Sequence, residues 1–104
     1  MKISVLGSGA FGLAIASLLS KNKNNNIIVW TSFKEEYDEL VKYHTNKRIF
    51  NDYSFKDLNF SMNLEETISD AKVIILAVPS NAIREVLTKT KNLLKIKCDF
   101  HFQL

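Results

Sequence analysis

An α/β fold built on a doubly wound parallel sheet is predicted by three observations. The chain opens with a short β-branched run that empties into closely spaced glycines and then a helical segment. Apolar runs of strand length alternate with segments of helical periodicity along its 104 residues. One such run, Val73 to Val78, is continuously apolar, as in a strand covered on both faces.

The opening run is Lys2-Ile3-Ser4-Val5-Leu6, followed by Gly7-Ser8-Gly9-Ala10-Phe11-Gly12 and by Leu13 to Leu19. In this order Gly7 permits a tight turn, Gly9 lets the backbone approach a pyrophosphate, and Gly12 lets the helix pack closely on the strand. The unpaired N–H groups and positive dipole end of the helix then face the phosphates. A GxGxxG string alone is weak. Here a strand precedes it, a helix follows and another strand comes next, so the pattern predicts nucleotide binding rather than close packing alone.

Lys21 to Asn26 is a polar surface connection, because asparagine side chains compete for local backbone hydrogen bonds and favour turns. Ile27-Ile28-Val29-Trp30 is the second strand. Ser32-Phe33-Lys34-Glu35 has the form of a capping box, with Ser32 as N-cap of a helix from Phe33 to His44. Ser32 is equally placed to meet a ribose or phosphate. Thr45 to Phe60 reads as a long surface loop leading to a short strand over Phe60 to Met62, and such loops are uncommon unless functional or locally structured. Asn63 caps a short helix to Ser69. After the strand Val73 to Val78, Pro79 ends the run and Ser80 caps a last helix with Ile83, Val86, Leu87 and Leu94 as its apolar stripe. Phe100 to Leu104 alternates as an incomplete fifth strand.

Right-handed crossovers then give a Rossmann-like sheet of order 3-2-1-4-5. That order sets Val78, Pro79 and Ser80 across one crevice from the glycine turn, where ligands bind in such sheets.

Composition narrows the class. Hydrophobic residues make up 46% and charged residues 24%, which suits a soluble globular domain. The net charge is +3, and the cluster Arg84, Lys89, Lys91, Lys95 and Lys97 reads as a solvated helix face, so no nucleic-acid partner is expected. One cysteine, Cys98, precludes an internal disulfide and suits a reducing, cytoplasmic setting. His44 and His101 share no metal-ligand spacing, and no metal site is inferred. Gly7 and Gly9 interrupt the first apolar run too early for a membrane span.

Taken together, the glycine turn, Ile28-Val29-Trp30, the Asn46-Lys47-Arg48 neighbourhood, Asn63 to Ile68, Asp70 to Ser80 and Ile83 to Leu87 resemble NAD(P)-dependent glycerol-3-phosphate dehydrogenase of the bacterial type. The resemblance runs to about Leu94. It implies NAD or NADP as cofactor, held by Gly7, Ser8, Gly9, Ala10, Phe11, Gly12, Ser32, Val78, Pro79 and Ser80. It also implies, in the complete enzyme, hydride transfer between dihydroxyacetone phosphate and sn-glycerol 3-phosphate.

Three departures follow. Ala10 and Phe11 stand where the family usually has serine and tryptophan, and Ser32 stands where it often has a basic residue. Neither acid nor arginine occupies the ribose-reading position about 20 residues past Gly12, so NAD and NADP are not separated. Lys95 to Leu104 is unlike the family's Lys-Gly segment, and no residue takes a catalytic role. Residues 1–104 are therefore expected to form the cofactor domain alone, with the helical substrate domain absent, little turnover, and self-association through uncovered sheet. A stand-alone dinucleotide-binding module and the cofactor domain of a related sugar-phosphate or hydroxyacid dehydrogenase are the alternatives.

Overall fold

Lys2–Leu6 forms β1, the strand on which everything else is laid. In the computed structural model, which describes residues 1–95, it is followed by α1 (Ala10–Leu19), β2 (Asn26–Trp30), α2 (Lys34–Tyr43), β3 (Asn59–Ser61), α3 (Leu64–Ile68), β4 (Val73–Leu76) and α4 (Ser80–Lys95). The expected fifth strand, with Cys98 and His101, lies outside the described residues. The sheet order is β3-β2-β1-β4 and every pairing is parallel, as expected for the first four strands.

Residues alternate across a strand, and β1 uses both of its faces. Ile3 and Val5 pack with Leu13 and Ala16 of α1 and Leu40 of α2. Leu6 packs on the opposite face with Ile68, Val86 and Leu94 from α3 and α4. Ser4 is fully buried, and its hydroxyl donates to the Thr67 carbonyl, so the one polar side chain in the middle of this strand is satisfied. Asn63 caps α3 as expected, its side chain accepting from the Glu66 N–H at 3.0 Å.

Four local expectations are corrected. Ser32 does not cap α2; the cap position is Phe33, which makes no side-chain cap bond and whose own N–H donates to the Thr31 hydroxyl at 3.2 Å. Ser80 is the first residue of α4 rather than a cap before it. The run Val73 to Val78 is only partly covered, with Val73 exposed and Ile74 to Leu76 half-buried. The reason is that β4 pairs on one side only among the described residues.

The fourth correction concerns residues 45–58, which are more than a surface loop. Phe50, Tyr53 and Phe55 stack edge and tilt against one another with centroids 4.7 to 6.5 Å apart, and Phe55 and Leu58 enter the main core. Tyr53 also shares a 2.6 Å hydrogen bond with Ser17 of α1, which ties the segment down.

Glu39 anchors the start of the same segment. Its carboxylate accepts from the Thr45 hydroxyl at 2.7 Å and the Lys47 N–H at 2.9 Å. These bonds, the Thr45 hydroxyl foremost, hold its pKa below the ordinary 4.5. A lowered folded-state pKa contributes stability that is present above the unfolded value and is lost as pH falls through the folded one. Glu39→Gln is therefore expected to lower the urea midpoint near neutral pH and to match the parent once pH is well below 4.5. Urea unfolding at both pH values checks this; a gap of constant size would contradict it.

Candidate functional site

The turn after β1 is shaped by backbone contacts that exclude side chains. Gly7 has φ +132°, and a Cβ there would sit 2.5 Å from the Ala77 carbonyl oxygen. Its N–H donates to the Trp30 carbonyl at 2.8 Å, so the chain turns while still attached to β2. A Cβ on Gly12 would lie 2.2 Å from the Gly7 carbonyl oxygen, which keeps α1 pressed against the strand end. Gly9 differs from both: its φ is −76°, and a Cβ would meet nothing within 4 Å.

Gly9 is also the N-cap of α1, with no side-chain cap bond and no acidic residue in the first turn. The first intrahelical bond there is from Leu13 N–H to the Gly9 carbonyl at 3.0 Å. The N–H groups ahead of Leu13 therefore have no partner in an earlier turn, and the positive end of the helix is not neutralised locally. By contrast, α2 and α3 each carry two glutamates in the first turn.

Leu6 and Leu76 are register partners, so the ends of β1 and β4 lie side by side. Between them opens a crevice of about 540 Å³, within the range of small-molecule sites. Gly7, Ser8, Gly9, Ala10 and Phe11 form one wall, Trp30 and Ser32 the end of β2, and Val78 and Pro79 the opposite lip. The structure thus brings together eight of the ten residues expected from sequence. Gly12 packs beneath the turn, and Ser80 does not line the space. Phe11 is 63% exposed at the mouth and is not a core residue. Ser32, released from capping, lines the crevice, and its hydroxyl has no hydrogen bond among the described residues.

Sequence reasoning left Glu36, Asn46 and Arg48 without a place at the site. Glu36 and Arg48 both line the crevice, and their side chains pair at 3.1 Å. Asn46 is buried at 1% exposure behind them, donating to Glu36 Oε1 at 2.9 Å and to the Ser8 carbonyl at 3.2 Å. Its Oδ1 is buried without a partner among the described residues. The bond to Ser8 runs from a distant loop straight into the glycine turn, a contact that residue types and spacing do not encode. The only sequence signal was the Asn46-Lys47-Arg48 string itself.

A family model described as NAD-dependent glycerol-3-phosphate dehydrogenase N-terminus matches residues 2–100. A glycerol-3-phosphate dehydrogenase, designated NAD(P)+, from Fusobacterium nucleatum is 40% identical over 96 residues, covering 91% of this chain and 28% of its own length. The equivalent protein of a Thermoanaerobacter species is 34% identical over 91 residues, covering 88% and 27%. Among solved structures, glycerol-3-phosphate dehydrogenase from Coxiella burnetii superposes with a TM-score of 0.81 at 30% identity, over 88% of this chain and 28% of that one. The chain spans little more than a quarter of the length of these relatives. By sequence match across nearly its whole length and by the fold of its described residues, the chain belongs to the NAD-binding N-terminal family of glycerol-3-phosphate dehydrogenases.

Proposed function

We propose that the crevice binds a nicotinamide dinucleotide, NAD or NADP, and that residues 1–104 act as the cofactor domain of an enzyme interconverting dihydroxyacetone phosphate and sn-glycerol 3-phosphate. The observation that carries this reading is the open space over Gly9 at the unneutralised N-terminus of α1. A pyrophosphate fits there because backbone N–H groups point out of the helix end and no Cβ intervenes. The adenosine half runs toward Ser32 at the end of β2, and the nicotinamide half toward Val78 and Pro79. Ala10 and Phe11 present their N–H groups from the first turn, and the exposed Phe11 ring stands at the mouth.

When bound, the nicotinamide supplies the hydride-transfer chemistry. This chain's residues hold and orient it; substrate-binding and proton-transferring groups are assigned to the part of the relatives that the chain does not span. The exposed Val73 and the outer edge of β4, unpaired among the described residues, support self-association as a second element of the reading. Sedimentation at about ten micromolar, on the order used for association tests, is expected to contain species larger than a monomer, and a single monomeric boundary would contradict it.

Trp30 provides the test of cofactor binding. Its ring lines the crevice while its Nε1–H donates to the Met62 carbonyl at 3.0 Å, so it is held at the site. Titration with NADH is expected to quench its emission saturably. A folded chain whose emission follows only the optical dilution of the titrant would overturn the reading.

A further inference from the structure

Among the described residues, Glu36 and Arg48 are the two ionisable side chains that line the crevice. They are not equivalent. The Glu36 side chain is 13% exposed and Arg48 72%. Glu36 Oε1 accepts both from Arg48 at 3.1 Å and from the buried Asn46 amide at 2.9 Å. Asn46 in turn donates to the Ser8 carbonyl, so the carboxylate is fixed relative to the glycine turn. Oε2 receives no hydrogen bond among the described residues. The carboxylate is thus the held, less solvated member of the pair, whereas the guanidinium is mostly exposed and screened by water.

The topology sets this carboxylate on the adenosine side. β2 neighbours β1 on the edge away from β4, and α2 begins four residues after the end of β2, with Glu36 in its first turn. Thr31 and Ser32, directly after β2, are neutral, so the acidic charge reaches the crevice from α2 instead.

We propose that Glu36 reads the ribose of the adenosine half: Oε2 accepts from the 2′-hydroxyl, and the same charge opposes a 2′-phosphate, so this chain prefers NAD(H) to NADP(H). Arg48 and Asn46 are positioning residues that hold the carboxylate. The inference rests on the dinucleotide reading above and adds the choice between the two cofactors.

The test is calorimetric titration of the chain with NADH and, separately, NADPH, in the parent, Glu36→Gln and Arg48→Met. The parent is expected to bind NADH at least about tenfold more tightly than NADPH, the scale of one lost charge-assisted hydrogen bond plus repulsion. Glu36→Gln keeps the shape and an acceptor for Asn46 but removes the charge, and its preference is expected to shrink to about twofold or less. Arg48→Met leaves the carboxylate uncompensated and is expected to widen the preference, weakening NADPH more than NADH. Equal binding of the two nucleotides by the parent, or tighter NADPH, overturns the assignment of Glu36 while leaving dinucleotide binding intact. An unchanged preference in a folded Glu36→Gln does the same; should that variant not fold, a preference unchanged in Arg48→Met does so. Binding of neither nucleotide by the folded parent overturns both readings.

Discussion

Gly9→Asp is expected to abolish dinucleotide binding, by at least about 100-fold or roughly 2.7 kcal/mol, without unfolding the chain. The two halves of that expectation have separate causes. Gly9 has an ordinary negative φ and its Cβ direction is empty, so a side chain is accommodated in the free protein. Aspartate is in fact a better N-cap than glycine, and its charge complements the helix end, so stability is expected to stay level or rise by about 0.5 kcal/mol. The same carboxylate fills the space assigned to the pyrophosphate and opposes its charge. Thermal unfolding followed by circular dichroism, together with NADH titration, separates the halves. A variant that binds normally would mean the ligand does not use this turn.

Gly12→Ala is expected to do the reverse, destabilising the fold by about 3 kcal/mol or more, at the upper end of overpacking costs. The added methyl would stand 2.2 Å from the Gly7 carbonyl oxygen, with the Gly7 carbonyl carbon at 3.0 Å and the Ala77 side chain at 3.3 Å. Backbone lies on the crowded side, so no flexible side-chain tip is available to move away. Relief requires α1 to lift from β1, which separates Leu13 and Ala16 from the core they share with Ile3 and Val5. Against a total stability of about 5–15 kcal/mol for a domain this size, urea unfolding should register the loss plainly. A midpoint unchanged from the parent would contradict the packing described for this helix.

The contrast between Gly9 and Gly12 also marks how far the sequence could be read. Strand, glycine turn and helix were legible because each depends on a local rule: β-branched residues, the spacing of the three glycines, an apolar stripe. Sheet order followed from the handedness of crossovers, which needs no contact information. Ser32 was expected as a cap from the Ser-x-x-Glu spacing alone, but the cap position of α2 falls one residue later, at Phe33, whose side chain has no cap bond to offer. Phe11, expected among the cofactor-holding residues, lines the crevice with its side chain largely exposed. The segment containing Phe50, Tyr53 and Phe55 lacked periodicity, since its order comes from aromatic side chains meeting one another rather than from a repeating backbone. Glu36, Asn46 and Arg48 were the hardest to place. Their meeting depends on a loop returning to the glycine turn, a tertiary event with no local signature.

The most direct measurement of the central claim is amide chemical-shift mapping of the isotope-labelled chain during titration with NADH. The largest changes are expected at Ser8, Gly9, Ala10 and Phe11, where N–H groups would meet the pyrophosphate, with further changes at Ser32 and Val78 on the two flanks of the crevice. Amides of β3 and the far end of α1 should stay in place. Saturable shifts centred elsewhere, or none at the glycine turn, would contradict the assignment of this crevice as the dinucleotide site.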